Sequence, residues 1–267
     1  IVSSLKDAVT ALEDILVKRV FGDAGNRVIV EEFLQGREVS LLAFTDGSHV
    51  VPMVPACDYK RIGDNDAGLN TGGMGSYSPP AFFGADMVQR TVDEVIAPAV
   101  QAMAARGCTY QGVLYAGLMV DGDRIRVLEF NARFGDPETQ AILPRLEGDL
   151  GQILMACTNG TLDRVSINWK TGPSVAVVVA SGGYPGAYTR GLPISGLDRS
   201  DRDVSVFHAG TTTGPDGTVL TDGGRVLAVV ATADTMAEAR ERVYNNVIRI
   251  SYPNMVYRTD IALREVA

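Results

Sequence analysis

The sequence predicts an α+β protein built as two mixed units, about 1–160 and 161–267, and three observations carry that reading. Two apolar runs, 39–56 and 113–130, turn back on themselves across Asp-Gly pairs, as antiparallel hairpins do. Two stretches, 3–20 and 85–106, carry apolar residues at helical spacing. After Asn159-Gly160 the chain changes to one long apolar strand and several short ones, separated by Gly-Pro, Asp-Gly and Gly-Gly pairs.

Taken in order, Leu5, Ala8, Val9, Leu12, Ile15, Leu16 and Val20 mark the buried side of the first helix, and Ser4 to Asp7 reads as its capping box. Gly22 to Asn26 is a turn, and VIVEEF (28–33) reads as a strand. The first hairpin turns at Asp46-Gly47. Residues 57–80 lose all periodicity, and an aperiodic stretch of more than about 15 residues inside a domain is usually functional or disordered. Met87, Val88, Val92, Val95, Ile96, Val100 and Met103 give the second helix its buried side. The second hairpin turns at Asp121-Gly122, and a short helix is expected after Pro137. Beyond residue 160, 173–186 reads as a buried strand ending in a glycine turn, and 235–250 as a last helix.

Composition narrows the function. The 267 residues suffice for one large domain or two ordinary ones, with 46% apolar residues to build cores. A net charge of −8 excludes a broad basic surface for nucleic acid, and no apolar run is long enough to span a membrane as a helix. Cys57, Cys108 and Cys157 lie far apart, which argues against a disulfide framework or zinc knuckle and fits a reducing, cytoplasmic setting.

The chemistry concentrates in VLEFNARFGDPE (127–138). On a strand Glu129, Asn131 and Arg133 share one face about 7 Å apart, while Leu128, Phe130 and Ala132 share the other, which can enter the core. Two oxygen donors at i and i+2 suit a hard cation such as Mg²⁺, and the arginine can fork onto a phosphate that the cation also touches. The same spacing also suits a surface strand with an ordinary Glu–Arg pair. Glu31-Glu32-Phe33-Leu34, with Glu38 beyond, can offer backbone groups to an adenine edge and a carboxylate to ribose hydroxyls, or can be purely structural. In the aperiodic stretch, Lys60 and Arg61 are adjacent cations, and Asn70 to Gly75 is glycine-rich enough to approach a ligand closely. No G-K-[ST] follows, so this is no Walker A loop. His49, His208 and Trp169 read as structural.

Together these segments resemble the phosphoribosylamine–glycine ligase (glycinamide ribonucleotide synthetase) family of ATP-grasp enzymes. The resemblance rests on VIVEEFLQGREVSLLAFTDG, DYKRIGDNDAGLNTGGMGSYSPP, GVLYAGLMV and VLEFNARFGDPETQ, with FHAGT, DGGRVLAVVA and YRTDIA near the end. It implies an ATP-grasp core with a partial lid subdomain, followed by a small mixed α/β C-terminal domain, bounded as 1–32, 33–160 and 161–267. It implies a C–N ligase of purine biosynthesis that uses ATP and Mg²⁺ or Mn²⁺ to join glycine to 5-phosphoribosylamine through a glycyl phosphate. By that likeness Glu129 and Asn131 hold the metal, and Arg133 and Lys60 act on the transferred phosphoryl group. Glu31, Phe33 and Leu34 line the adenine hinge and Glu38 the ribose. Asp58, Arg61, Gly72, Gly73 and Asp136 contact substrate.

Some positions depart from the family pattern. Gly117 stands near the place where many ATP-grasp enzymes carry an acidic metal ligand, and Ala262 stands where the family usually has glycine. The family's N-terminal domain and the opening of its lid, with a phosphate-contacting lysine, lie outside these residues. The resemblance therefore implies a chain that begins at the lid's last helix and turns over poorly alone. Two alternatives stay open: another ATP-grasp ligase or carboxylase, or a non-catalytic nucleotide-binding fragment.

Overall fold

The computed structural model describes residues 1–266 and divides the chain into two compact units, Ile1–Gly36 and Arg37–Ala267. In the first, Ser4 caps helix α1 (Leu5–Leu12) by accepting from the Asp7 amide at 3.1 Å. The helix widens into a π-turn (Glu13–Val17), and a 3₁₀ turn follows (Gly22–Asn26). The apolar stripe expected to be buried is exposed at Leu5, Val9 and Leu16. The strand expected over 28–33 does not form. Its backbone pairs with no other strand among the described residues, and Ile29, Val30 and Phe33 stand 78%, 85% and 63% exposed. A strand needs a neighbour to satisfy its amides, so apolar β-formers alone do not make one.

The second unit opens with β1 (Arg37–Thr45) and β2 (Val50–Pro52), the hairpin that the Asp46-Gly47 turn predicts. Asp46 holds that turn. Its carboxylate accepts from the Ser48 and His49 amides, from His49 Nδ1 at 3.0 Å and from the Leu162 amide. His49 is therefore structural, and although Asp163 lies close by, each Asp46 oxygen already accepts from two donors. Residues 57–80 are not structureless. They form β3 (Cys57–Asp58), a small hairpin of β4 (Arg61–Gly63) and β5 (Ala67–Asn70), and β6 (Gly75–Ser78). These strands run two to four residues in polar sequence, too short to show a period.

Helices α2 (Ala85–Thr91) and α3 (Ala97–Ala105) join through a π-turn, Val92–Ile96. Then β7 (Gly112–Asp121) and β8 (Arg124–Asn131) form the second hairpin, and α4 (Glu138–Ile142) follows Pro137. A two-stranded patch of β9 (Leu146–Glu147) and β10 (Asn168–Trp169) flanks α5 (Leu150–Asn159). The chain closes with β11 (Ser174–Ala180), β12 (Val204–His208), the hairpin of β13 (Thr211–Thr213) and β14 (Val219–Thr221), β15 (Arg225–Thr232) and α6 (Met236–Val247).

Two antiparallel sheets result, in the orders β2-β1-β7-β8 and β12-β15-β11-β6-β3. Val39, Leu41 and Ala43 of β1 enter the main core with β11 and α6, while Leu42 and Phe44 face a second core with α5. Both faces of β1 are covered, which is why it reads as a continuous apolar run. The second sheet crosses the compositional break at 160, because β6 pairs with β11. That break falls inside the second unit. At the other rim β8 has a neighbour on one side only, and a register shift at Gly117/Leu118 leaves Leu128 as an extra residue. The apolar side of β8 does not enter the core, as the sequence had suggested: Val127, Leu128 and Phe130 are all partly exposed.

The C-terminal segment returns to pin the small hairpin. Arg258, with its side chain fully buried, donates to Asp66 at 2.9 Å, to Asp260 at 2.6 and 2.7 Å and to the Arg61 carbonyl, and lies over the Tyr59 ring. Thr259 and Asn65 add bonds to Asp64 and Asp260. Ala262 donates its amide to the Tyr59 hydroxyl with a left-handed φ of 59°, a conformation that glycine adopts at no steric cost. Arg258→Met leaves the largely buried Asp260 carboxylate without its cation and is expected to lower stability by about 3–5 kcal/mol, read from urea unfolding. A loss under about 1 kcal/mol would show that the hairpin is held elsewhere.

Candidate functional site

Four of the residues singled out in the sequence line one cleft of about 180 Å³: Glu38, Asp58, Lys60 and Glu129. The fold explains the meeting. Glu38 opens β1 and Glu129 lies on β8, opposite Gly117 of the strand between them. Asp58 and Lys60 arrive from the far sheet, where β3 hands over to the small hairpin. Tyr59 is clamped between Gly75 and Met74 by backbone bonds of 2.9 and 2.7 Å, and this fixes Lys60 beside it.

Lys60 forms an ion pair with Glu38. Burial disfavours its ammonium, but Asp58, Glu38 and Glu129 outweigh that and hold its pKa above the ordinary value. The Asp58 pKa is raised too, which for a carboxyl favours the neutral form. Burial and the nearby Glu138 carboxylate push it up to about 7, against the pull of Lys60. Behind Asp58, the buried Glu138 accepts from Ser40 at 3.1 Å and from the Tyr115 hydroxyl, and Ser40 and Tyr115 lie 2.6 Å apart. Burial, then the carboxylates of Glu138 and Asp58, hold the Tyr115 phenol protonated far above its usual range.

From Glu129 the polar groups continue down the strand. Asn131 Nδ2 donates to Glu129 Oε1 at 3.1 Å, Arg133 Nη2 donates to Asn131 Oδ1 at 3.3 Å, and Arg133 Nη1 donates to the Phe134 carbonyl at 3.0 Å. Turning the Asn131 amide over would set its oxygen beside Glu129. Two oxygens sharing Mg²⁺ at right angles lie about 3 Å apart, so the pair fits a small hard cation. Gly117 supplies no third carboxylate. A Cβ there would meet Glu129 Cγ at 3.3 Å, so a larger side chain would crowd the ligand.

A second cluster forms at the end of this strand around Arg225, a residue the sequence did not single out. Arg225 grips Asp136 with both guanidinium nitrogens, at 3.1 and 2.9 Å, and donates to the Gly72 carbonyl at 2.7 Å. Gly73 has a φ of +111°, and a Cβ there would lie 2.3 Å from Pro137, so only glycine lets the loop sit this close. Gly72, Gly73 and Asp136 are thus brought together by a cation 153, 152 and 89 residues away from them in the sequence. Tyr115 and Arg225 went unnoticed because one is a lone phenol in an apolar strand and the other acts only through distant segments.

Arg61 is not among the residues that line the cleft. Arg61 donates to Gly68 within its own hairpin at 2.7 Å. Glu31, Phe33 and Leu34 belong to the first unit, where Glu31 and Phe33 are exposed and Leu34 is half-buried.

Residues 1–139 match the family model for the phosphoribosylglycinamide synthetase ATP-grasp (A) domain, and residues 174–264 match that for its C domain. The chain is 46% identical over 266 residues to a phosphoribosylamine–glycine ligase of Vibrio parahaemolyticus, covering 99% of this chain and 62% of the relative. It is 47% identical over 266 residues to that of Pseudomonas aeruginosa, with the same coverage. The chain thus spans about three fifths of the length of the bacterial relatives it matches. A solved phosphoribosylamine–glycine ligase from Thermotoga maritima superposes with a TM-score of 0.82 at 32% identity, over 95% of this chain and 63% of that one. The biotin carboxylase domain of a Hydrogenobacter thermophilus 2-oxoglutarate carboxylase, in complex with MgADP and bicarbonate, superposes at 0.67 with 13% identity, over 94% and 54%, and shares the fold.

The raised Asp58 value predicts a pH dependence. Folding lifts it from 3.8 to about 7, so the folded chain keeps a proton that the unfolded chain has released. That stabilisation is complete below about pH 4 and is lost as pH rises through about 7. Asp58→Asn is expected to flatten the fall in Tm over this window. An unchanged slope would mean that another group sets it.

Proposed function

The chain belongs to the phosphoribosylglycinamide synthetase family, and we propose that the protein carrying it joins glycine to 5-phosphoribosylamine at the expense of ATP. The observation that bears most weight is the meeting of Lys60, Glu38, Asp58 and Glu129 in one cleft that runs on to Asn131 and Arg133. A carboxylate is a poor electrophile, so an oxygen of glycine first takes the terminal phosphoryl group of ATP. The acceptor amine then attacks the acyl carbon of the glycyl phosphate. The C–N bond forms, the C–O bond to phosphate breaks, and phosphate leaves with the electron pair.

Each residue has a role in this reading. Glu129 and Asn131 hold the divalent cation, Mg²⁺ or Mn²⁺, which when bound neutralises phosphate charge. Arg133 steadies the transferred group, and Lys60, kept charged by its three carboxylates, turns toward phosphate once Glu38 is taken up by ribose. Arg61 stiffens the hairpin that carries Lys60, and Arg225 holds the Gly72–Gly73 loop against Asp136. Glu31, Phe33 and Leu34 take the adenine edge of the nucleotide. The whole assembly works in the cytoplasm together with the rest of the polypeptide that the longer relatives contain.

In the complete protein, Glu129→Ala is expected to reduce glycine-dependent ADP formation on the order of a hundredfold. Turnover like wild type would remove Glu129 from the metal. Phosphate release that persists with glycine withheld, or that bicarbonate supports instead, would favour a carboxylase.

A further inference from the structure

Beyond β11 the chain turns through Ser181-Gly182-Gly183-Tyr184, and the Tyr184 side chain reaches the glycine loop, 112 residues back in the sequence. Its hydroxyl accepts from the Gly72 amide at 2.9 Å. Several contacts hold the phenol at that spot. The carbonyl of the buried Ser181 accepts from the Tyr184 amide at 3.1 Å. The Ser181 amide and hydroxyl donate to the Gly224 and Gly223 carbonyls, each at 2.8 Å. A Cβ on Gly224 would stand 2.2 Å from the Tyr184 ring, so only glycine lets the ring lie there. Tyr188 meets that ring edge-on, with centroids 6.4 Å apart.

Gly72 is thereby held at both of its backbone groups. Tyr184 takes the N–H, and Arg225 donates to the carbonyl at 2.7 Å. The restraint passes to the neighbouring residue. Thr71 donates twice to the Lys60 carbonyl, from its amide at 2.7 Å and from its hydroxyl at 2.9 Å. The same hydroxyl accepts from the Gly73 amide at 3.0 Å, which closes residues 71–73 into one unit. A shift of Gly72 therefore pulls on the backbone of Lys60, and phosphoryl transfer depends on where such a cation stands. Tyr184 is not among the residues that line the cleft. Its bond to Gly72 is solvent-exposed, so water can satisfy the amide in its place without fixing where the loop lies.

We propose that Tyr184 is a positioning residue for the ligase reaction, acting through Gly72 and Thr71 to set the backbone of Lys60. The proposal rests on the ligase reading above for the role of Lys60. Arg225 and Tyr184 then form a two-sided clamp, one on each backbone group of the same glycine, and both are supplied by the second sheet and its turns.

The test uses the complete protein that carries this segment. Tyr184→Phe keeps the ring beside Gly224 and deletes only the oxygen to which Gly72 donates. It is expected to lower kcat for glycine-dependent ADP formation about five- to tenfold, the effect of one lost hydrogen bond. The KM values for ATP and glycine should stay within about twofold, and the Tm within about 2 °C. Deuterium exchange at the Thr71 amide, read residue by residue, should quicken about fivefold while the amides of β11 keep their rates. That exchange reports the tie to Lys60 directly, and a tyrosine that served the fold alone would leave it unmoved or would quicken β11 as well. An unchanged kcat, a rise in KM in its place, or a fall in kcat with unaltered Thr71 exchange overturns the assignment. If the unaltered protein forms no ADP with glycine, the ligase reading fails, and the Thr71 exchange alone decides whether Tyr184 holds the loop.

Discussion

Lys60 is set among three carboxylates, and much of the second unit can be understood as what it takes to keep it there. An ammonium half removed from water needs negative charge close by, and carboxylates in the same cleft need a cation or a proton. Glu38, Asp58 and Glu129 come from three strands of two sheets, so the balance exists only when both sheets are in place. Asp58 marks its limit. One ammonium does not neutralise three carboxylates as well as the buried Glu138 behind them, and Asp58 stays protonated further up the pH scale than a carboxyl usually does. Such a cleft is poised for positive charge, which a divalent cation would bring.

What the sequence made legible, it made legible through local rules. Both long hairpins announce themselves by alternation closed with Asp-Gly, and α6 by its apolar spacing. The pair proposed for the metal, Glu129 and Asn131, is two residues apart on one strand, so strand geometry alone brings their side chains together. The failures share a physical cause as well. Residues 28–33 have strand composition but no paired neighbour, and pairing is a property of the partner. Residues 57–80 look irregular because each strand is too short to show alternation, although β3 and β6 pair in the second sheet. Arg225 could not be found by spacing, since its partners lie 89 and 153 residues away.

The compositional break at residue 160 has a similar explanation. The glycine that ends α5 takes a left-handed conformation, with φ 70°, and marks a true helix end. Composition reports where a helix stops. It does not report which strands lie side by side, and β11 returns to pair with β6 across nearly a hundred residues. The two halves share one sheet, and with it the loop that carries Lys60.

The bond between Arg225 and the Gly72 carbonyl has a consequence for the order in which the molecule becomes competent. A chain leaving the ribosome from its N-terminal end exposes Glu38, Lys60 and Glu129 long before Arg225 is made. Until β15 emerges, nothing ties the glycine loop to Asp136, and until Arg258 follows, the hairpin beside Lys60 lacks its anchor. Contacts of such sequence separation also close slowly, because chain entropy must be spent before they form. The nascent protein thus holds its charged groups without their geometry.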